Sequence, residues 1–231
     1  MTEYDILTQV PEVTEGISLS LSILTNIRVT KPTAANNQIF EEIGHALRES
    51  LTIEDVKAHP IVRAYRDFYW RVLKIDPTKT RPSSEALARR VLAGNPLPKI
   101  SNIVDAYNAA SLVTYVSLGA YNLDMTPFPL TLRVAGEGER FEAIGAKTPV
   151  IFEGNELVLC NAEGAILNQY PHRDAQFSRV TSQTTANALI ACGVPGVTME
   201  NLNDAIEKSV DYINRVQTDP CEVVFRREFS F

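Results

Sequence analysis

Apolar and polar positions alternate between residues 16 and 29. Alternate residues of an extended chain point to the same side, so this period of two predicts a half-buried strand that enters the core sheet. The apolar residues that share one side of it are Ile17, Leu19, Leu21, Ile23 and Ile27.

Five later segments have apolar residues at helical spacing. Asn and Ser residues, proline at the first turn and glycine at the end mark several of their limits. A sixth segment, Thr184 to Cys192, is almost continuously apolar and ends before Gly193, which predicts a buried helix. The five helical segments are about 36–47, 60–73, 83–94, 102–113 and 199–216.

Short apolar runs separated by glycines dominate the second half of the chain. They predict short strands with tight turns, and therefore a mainly antiparallel sheet. With the helices this gives an α+β fold, in one domain spanning 1–231, with the strand and helix of about 16–50 packed on its core. The runs are 130–134, 137–143, 149–152, 157–160, 165–168 and 221–225.

Composition is that of an ordinary globular protein, with 231 residues, 45% hydrophobic and 22% charged. No apolar run approaches the roughly 20 residues of a membrane helix, and the acidic start MTEYD lacks the features of a signal peptide. We therefore expect a cytoplasmic protein without membrane contact. Cys160, Cys192 and Cys221 are too far apart for a zinc site, and we expect buried thiols and neither metal nor cofactor.

Charge is unevenly distributed along the chain. The segment from Lys57 to Lys99 holds ten Lys or Arg against three acids, a net +7, which leaves −13 elsewhere because the whole chain carries −6. A basic face of this kind fits a polyanion as partner. The alternative is that these cations are solvated outer faces of surface helices, paired with acids from other segments.

Two polar features interrupt otherwise apolar surroundings. Asn102, Asp105 and Asn108 recur at i, i+3 and i+6 on a helix with little other polarity, so they form one polar ribbon that needs hydrogen-bond partners. The run from Asn168 to Asp174, NQYPHRD, is the most polar stretch with catalytic side-chain types. We expect the ribbon and this run to face each other across a cavity.

Four motifs carry a resemblance to a known family. The run ISNIVDAYNA from Ile100, followed by GAYNLD from Gly119, resembles the INNVVDVTNYV and HAFDLD motifs of the B3/4 domain of the bacterial phenylalanyl-tRNA synthetase beta subunit. DPTKTRPSSE from Asp76 and VTSQTTAN from Val180 are more similar to freestanding relatives of that domain. The resemblance covers about 61–216 and implies the family's α+β fold, with helices packed on a mainly antiparallel sheet.

The resemblance also implies a function. In the synthetase, the pocket beside the INNVVD helix hydrolyses the ester of a wrongly attached amino acid on tRNA, so we expect this chain to bind the aminoacyl end of tRNA and hydrolyse mischarged esters in trans. The residues expected to act on the ester are His172, Arg173 and Asp174. Those expected to line the pocket are Asn102, Asp105, Asn108, Tyr121, Asn168, Tyr170 and Thr184. The cations expected on the tRNA backbone are Arg66, Arg71, Lys79, Arg81, Arg89 and Arg90.

Chemically, His172 could orient or deprotonate the attacking water, with Asp174 or Asp105 fixing its tautomer. Arg173 could hold a phosphate or the oxyanion. The structural alternatives are an ion pair between Arg173 and Asp174, and a ribbon that only ties its helix to neighbouring segments. The family histidine of HAFD falls at Gly119, which favours the second functional hypothesis, a non-catalytic module that binds RNA or an amino-acid-like molecule in the same pocket.

Overall fold

The computed structural model describes residues 3–231, so Met1 and Thr2 of the predicted domain lie outside it. Each predicted helix except that at 184–192 is present. Thr33, Thr52 and Thr198 begin their helices with reciprocal capping boxes, which satisfy N–H groups that a helix start leaves free. The helices are α1 Pro11–Thr14, α2 Ala34–Ser50, α3 Ile53–Ala58, α4 Pro60–Arg71, α5 Ser83–Leu92, α6 Asn102–Thr114 and α7 Met199–Val216.

The strands form a mainly antiparallel arrangement, which confirms the predicted α+β class. One sheet has the order β1-β4-β7-β8-β9, a second β11-β2-β10-β3, and a small third pairs β5 with β6. Only the β1–β4 pair is parallel among the described strands. The strands are β1 Ile6–Thr8, β2 Ser18–Thr25, β3 Ser117–Asn122, β4 Leu130–Val134, β5 Arg140–Phe141, β6 Val150–Ile151, β7 Leu157–Cys160, β8 Ile166–Gln169, β9 Arg173–Asp174, β10 Asn187–Cys192 and β11 Glu222–Ser230.

The prediction of a buried helix at 184–192 is wrong, because this segment contains the central strand β10. It pairs with β2 on one side and β3 on the other, and all six of its residues are buried. A strand covered on both faces is apolar throughout and has no alternation to show. Gly193 serves close approach, not helix termination, because a Cβ there would lie 2.6 Å from the Ser18 carbonyl oxygen.

Helices α4 and α6 are fixed to the sheet that carries β3 and β10. The hydroxyl of Tyr65 on α4 donates to the Cys192 carbonyl at 2.6 Å and accepts the Ser117 amide at 3.1 Å. Helix α6 is buried along almost its whole length and packs against α7 and β3. Among the polar residues of α6, Asn108 is the one that is not fully buried.

Two further properties concern the cysteines and the helices. Cys160, Cys192 and Cys221 are buried free thiols, as predicted from their spacing. Along residues 3–231, every helix is too short or too polar to cross a bilayer.

Candidate functional site

A cavity of about 230 Å³ lies between α6, β3 and the turn that joins β8 to β9. Its mouth carries the exposed residues Ser83, Ile100, Ile144 and Arg179. This is smaller than the roughly 300–1,000 Å³ of sites for drug-sized ligands, and suits a group the size of an amino acid. The lining residues that matter for chemistry are Tyr107, Asn108, Ser117, Gly119, Asn168, His172, Asp174 and Arg179.

The predicted site residues divide into two groups. Asn108, Asn168, His172 and Asp174 line the cavity, so the polar run and one residue of the ribbon do face each other. Arg173 lies between two lining residues but is exposed. The remaining five, which do not line the cavity, are Asn102, Asp105, Tyr121, Tyr170 and Thr184.

Asn102 ties α6 to the segment after β2. Its Oδ1 accepts the Thr30 amide at 2.8 Å and its Nδ2 donates to the Arg28 carbonyl at 2.9 Å. Tyr170 is equally structural, since its buried hydroxyl donates to the Gly193 carbonyl at 2.5 Å. Thr184 accepts the Thr181 amide at 3.0 Å in a turn. These contacts follow the structural alternative, in which polar side chains join segments of the core.

Asp105 does not line the cavity, but it bonds to a residue at the cavity mouth. Its Oδ1 accepts the amide of Ile100 at 2.9 Å, and Ile100 is one of the exposed residues at the mouth. Burial raises the pKa of Asp105 to about 6, against the lowering effect of backbone amides at the start of α6. Asp105 therefore acts on the site by holding Ile100 in place.

Three strands bring the polar groups of the cavity wall together. Asp174 Oδ1 accepts hydrogen bonds from the Tyr121 hydroxyl and from Asn168 Nδ2, both at 2.8 Å. Asn168 on β8 lies directly opposite Asp174 on β9 in the sheet. Asp174 makes no ion pair with Arg173, so the predicted alternative of an ion pair at this position is wrong for the described residues.

His172 is neutral at physiological pH. Burial first, and the Arg173 guanidinium second, lower the pKa of its imidazole to about 4. Its Nδ1 lies 3.4 Å from the hydroxyl of Tyr69, a buried residue of α4. The hypothesis that Asp174 or Asp105 fixes its tautomer is wrong, because Tyr69 is the partner that the structure provides.

The buried hydroxyl of Tyr69 determines the tautomer of His172. His172 Nδ1 is the one hydrogen-bond partner of the Tyr69 hydroxyl in the described chain, and a buried hydroxyl proton without an acceptor is costly. We therefore assign the O–H of Tyr69 as donor and Nδ1 as acceptor. The imidazole proton then resides on Nε2, which makes His172 a hydrogen-bond donor toward a ligand.

The hydroxyl of Tyr121 leaves no space for a side chain at position 119. A Cβ at position 119 would lie 2.5 Å from the Tyr121 hydroxyl oxygen and 2.9 Å from Cζ, closer than real Cβ contacts. The hydroxyl thus occupies the space in which a side chain at 119 would begin. The family motif HAFD has histidine and phenylalanine at the positions of Gly119 and Tyr121. With glycine at 119, the Tyr121 hydroxyl has the space to reach Asp174.

We predict that Gly119→Ala lowers the free energy of unfolding by about 1–3 kcal/mol, the usual range for overpacking a core. The new methyl group would push the Tyr121 hydroxyl away from Asp174. In the Tyr121→Phe background the same change should cost less, by about 1 kcal/mol, because the clashing oxygen is gone. Urea unfolding of the four proteins measures this coupling. Equal costs in the two backgrounds would contradict it.

The predicted backbone cations also divide into two groups. Arg66 and Arg89 both donate to Glu85, whose side chain is fully buried, with N···O distances of 3.0 and 2.8 Å. Arg90 donates its Nε proton to the Pro96 carbonyl. Arg71, Lys79 and Arg81 are exposed, and within residues 3–231 their side chains have neither an ion pair nor a hydrogen bond.

Sequence reasoning missed four side chains that bear on the cavity: Tyr69, Tyr107, Ser117 and Arg179. Tyr69 lies among the aromatic residues of α4, and its position in the sequence gives no sign of the contact with His172. Ser117 and Arg179 lie just outside the quoted motifs. Their proximity depends on strand pairing, since Arg179 bridges to Tyr121 on β3.

Comparison with known proteins gives both a family and a structural likeness. The model of the B3/4 domain family matches residues 64–218. A solved structure that resembles the chain is an N-terminal fragment of the phenylalanyl-tRNA synthetase beta-subunit from Pyrococcus horikoshii, at 12% identity and a TM-score of 0.51. The likeness covers 93% of this chain and 49% of that fragment, so the chain spans about half its length. No curated protein matches. The family match covers well over half of the sequence, and the chain therefore belongs to the B3/4 domain family.

Proposed function

We propose that the chain binds the aminoacyl end of tRNA in the cavity and hydrolyses mischarged esters in trans. The observation that carries this proposal is the cavity itself, in which Asn108 of α6 faces His172 and Asp174 beside Gly119. Its volume of about 230 Å³ suits an aminoacyl group, and its exposed mouth leaves room for a nucleotide outside.

The reaction makes modest demands. Water attacks the carbonyl carbon of the ester, the bond to the ribosyl oxygen breaks, and the proton lost by the water is taken up by the leaving oxygen. An oriented substrate and a donor to the carbonyl oxygen supply much of the acceleration in such reactions. His172, neutral and with its proton on Nε2, is suited to be that donor.

Incubation with a panel of mischarged tRNAs tests the enzymatic part. We expect release of the amino acid above the buffer rate for at least one of them. If none is hydrolysed although the protein binds tRNA, the second candidate function remains, a non-catalytic module that uses the same cavity. One observation favours the non-catalytic module. Asp174 is the one carboxylate among the described residues of the cavity wall, and the Nδ1 acceptor of His172 already binds the Tyr69 hydroxyl, which leaves the Nε2–H donor for a ligand.

RNA contact is proposed for two exposed cations of the basic segment that have neither an ion pair nor a side-chain hydrogen bond within residues 3–231. Arg81 lies two residues before Ser83, which borders the cavity, and Arg71 lies at the end of α4. Lysine and arginine side chains neutralise phosphates without reading sequence, and each phosphate contact adds about one unit to the salt dependence of binding. Arg66 and Arg89 are excluded from this role by their bonds to Glu85.

We predict that Arg71→Ala with Arg81→Ala lowers the slope of log affinity against log salt by about 2 for deacylated bulk tRNA. Fluorescence anisotropy over a range of salt concentrations measures the slope. The matched control is Arg28→Ala with Lys31→Ala, which removes two exposed cations outside the basic segment. An equal loss of slope in both double variants would contradict a specific basic face.

A further inference from the structure

The carboxylate of Asp174 is satisfied on one oxygen only. Oδ1 accepts both hydrogen bonds, from Tyr121 and from Asn168, whereas Oδ2 accepts none from any described residue. An ionised carboxylate has about four acceptor positions, so half of its capacity is unused. Because Asp174 lines the cavity, the free oxygen is available to a bound molecule.

The same carboxylate also lacks a counterion. None of the ion pairs formed within residues 3–231 includes Asp174. The residue as a whole is partly exposed, but its carboxyl group is desolvated, and burial raises its pKa. A desolvated negative charge without a cation is costly, and a positively charged ligand removes that cost.

A second acceptor on the cavity wall is also unfilled. Asn168 is 4% exposed, and its Oδ1 is buried without a hydrogen-bond partner in the described structure. The orientation of its amide is fixed, since the acceptor-only carboxylate of Asp174 requires the NH₂ group on its side. Asp174 Oδ2 and Asn168 Oδ1 are therefore two acceptors on the cavity wall that receive no hydrogen bond from the described residues.

We propose that Asp174 Oδ2, on the wall that also holds the unfilled Asn168 Oδ1, is the anchoring site for a primary ammonium group. An ammonium has three donors and a full positive charge, which matches an unpaired carboxylate oxygen. The ligands of the cavity are then small primary amines, with their apolar parts toward Val104 and Leu118. Tyr121 acts as a positioning residue that holds Asp174 through Oδ1.

The inference rests on the proposed function only where it identifies the ammonium as that of an aminoacyl ester. A binding experiment with amides separates the two, because amides retain the ammonium and lack the ester. The probes are L-alaninamide, L-leucinamide and L-tyrosinamide, each compared with its des-amino counterpart propanamide, 4-methylpentanamide or 3-(4-hydroxyphenyl)propanamide. Isothermal titration calorimetry near pH 7 measures the affinities.

We expect at least one amide to bind wild-type protein about tenfold or more tightly than its des-amino counterpart, the usual worth of a hydrogen-bonded charge. Asp174→Asn, which keeps the shape of the side chain, should abolish that preference, so that the amide binds no more tightly than its des-amino counterpart. Tyr121→Phe keeps the charge but removes one hydrogen bond to Oδ1, so it should weaken the preference without abolishing it. Thermal melting checks that both variants are folded.

Three outcomes would overturn the inference: no amide binds, the des-amino compound binds equally well, or Asp174→Asn retains the preference. The comparison between paired ligands on wild-type protein needs no variant, so it decides the matter even if Asp174→Asn is unstable. A clear preference for the amine would stand if no mischarged tRNA is hydrolysed. Hydrolysis without the preference would support the proposed function and reject this anchor.

Discussion

Replacing both Arg66 and Arg89 by methionine is expected to lower the free energy of unfolding by about 3–5 kcal/mol. The side chain of Glu85 is fully buried, and its carboxylate receives its hydrogen bonds from the guanidinium groups of these two arginines, whose side chains are 16% and 24% exposed. Without them it becomes an uncompensated buried charge. Because small domains are stable by about 5–15 kcal/mol, the loss is a large share of the total.

The control for this prediction removes the charge as well as its partners. Adding Glu85→Leu to the double variant should recover most of the lost stability, because a buried ion pair replaced by apolar residues is often neutral or stabilising. Urea unfolding of the wild-type, double and triple variants gives the three free energies. A triple variant no more stable than the double variant would show that packing by the arginine stems, and not the buried charge, dominates.

The cluster of Arg66, Arg89 and Glu85 shows why the sequence alone could not predict which cations are free to bind a partner. Ten cations between Lys57 and Lys99 indicate a basic face, but two of them meet Glu85 from different helices. Arg66 lies on α4 and Glu85 on α5, nineteen residues apart along the chain. That pairing depends on how the helices pack, which residue spacing does not determine.

Hydrophobic periodicity predicted most elements because their two faces differ in exposure. Helix α7 has a buried and an exposed side. Strand β2 lies within the alternating segment, but the prediction that it is half-buried is wrong, because its second face, which carries Ser20 and Ser22, is buried too. Strand β10 was predicted wrongly because neither face is exposed, so its run NALIAC has no period. A short apolar run is ambiguous between helix and strand until its neighbours are known.

The cavity was placed correctly from the polar run and the ribbon, but only one end of the ribbon reaches it. Six residues advance a helix by about 9 Å, so Asn102 and Asn108 meet different surroundings. Asn102 bonds to Arg28 and Thr30, and Asn108 faces the cavity. The cluster of Tyr121, Asn168 and Asp174 needs the register of three strands, which the sequence does not supply.

For any mischarged tRNA that the protein hydrolyses, His172→Ala is expected to lower kcat about 100- to 1,000-fold, as removal of an oxyanion donor does in other enzymes. The proposed donor is Nε2–H, which the alanine side chain lacks. Single-turnover deacylation measures the rate, and titration with uncharged tRNA should show unchanged affinity. Loss of affinity with an unchanged rate would place His172 in binding alone.

A second substitution separates a donor from a general base. His172→Gln keeps an N–H donor near the position of Nε2 but cannot accept a proton, so a donor role predicts partial recovery relative to alanine and a base role predicts none. The pH dependence checks a different point, the protonation state of His172. Because burial and Arg173 lower the pKa of His172 to about 4, the imidazole stays neutral on both sides of the ordinary histidine value near 6.5. The ratio of wild-type to His172→Ala rates should therefore stay constant between about pH 5.5 and 7.5, whereas a histidine of ordinary pKa would become protonated in this range and change the ratio.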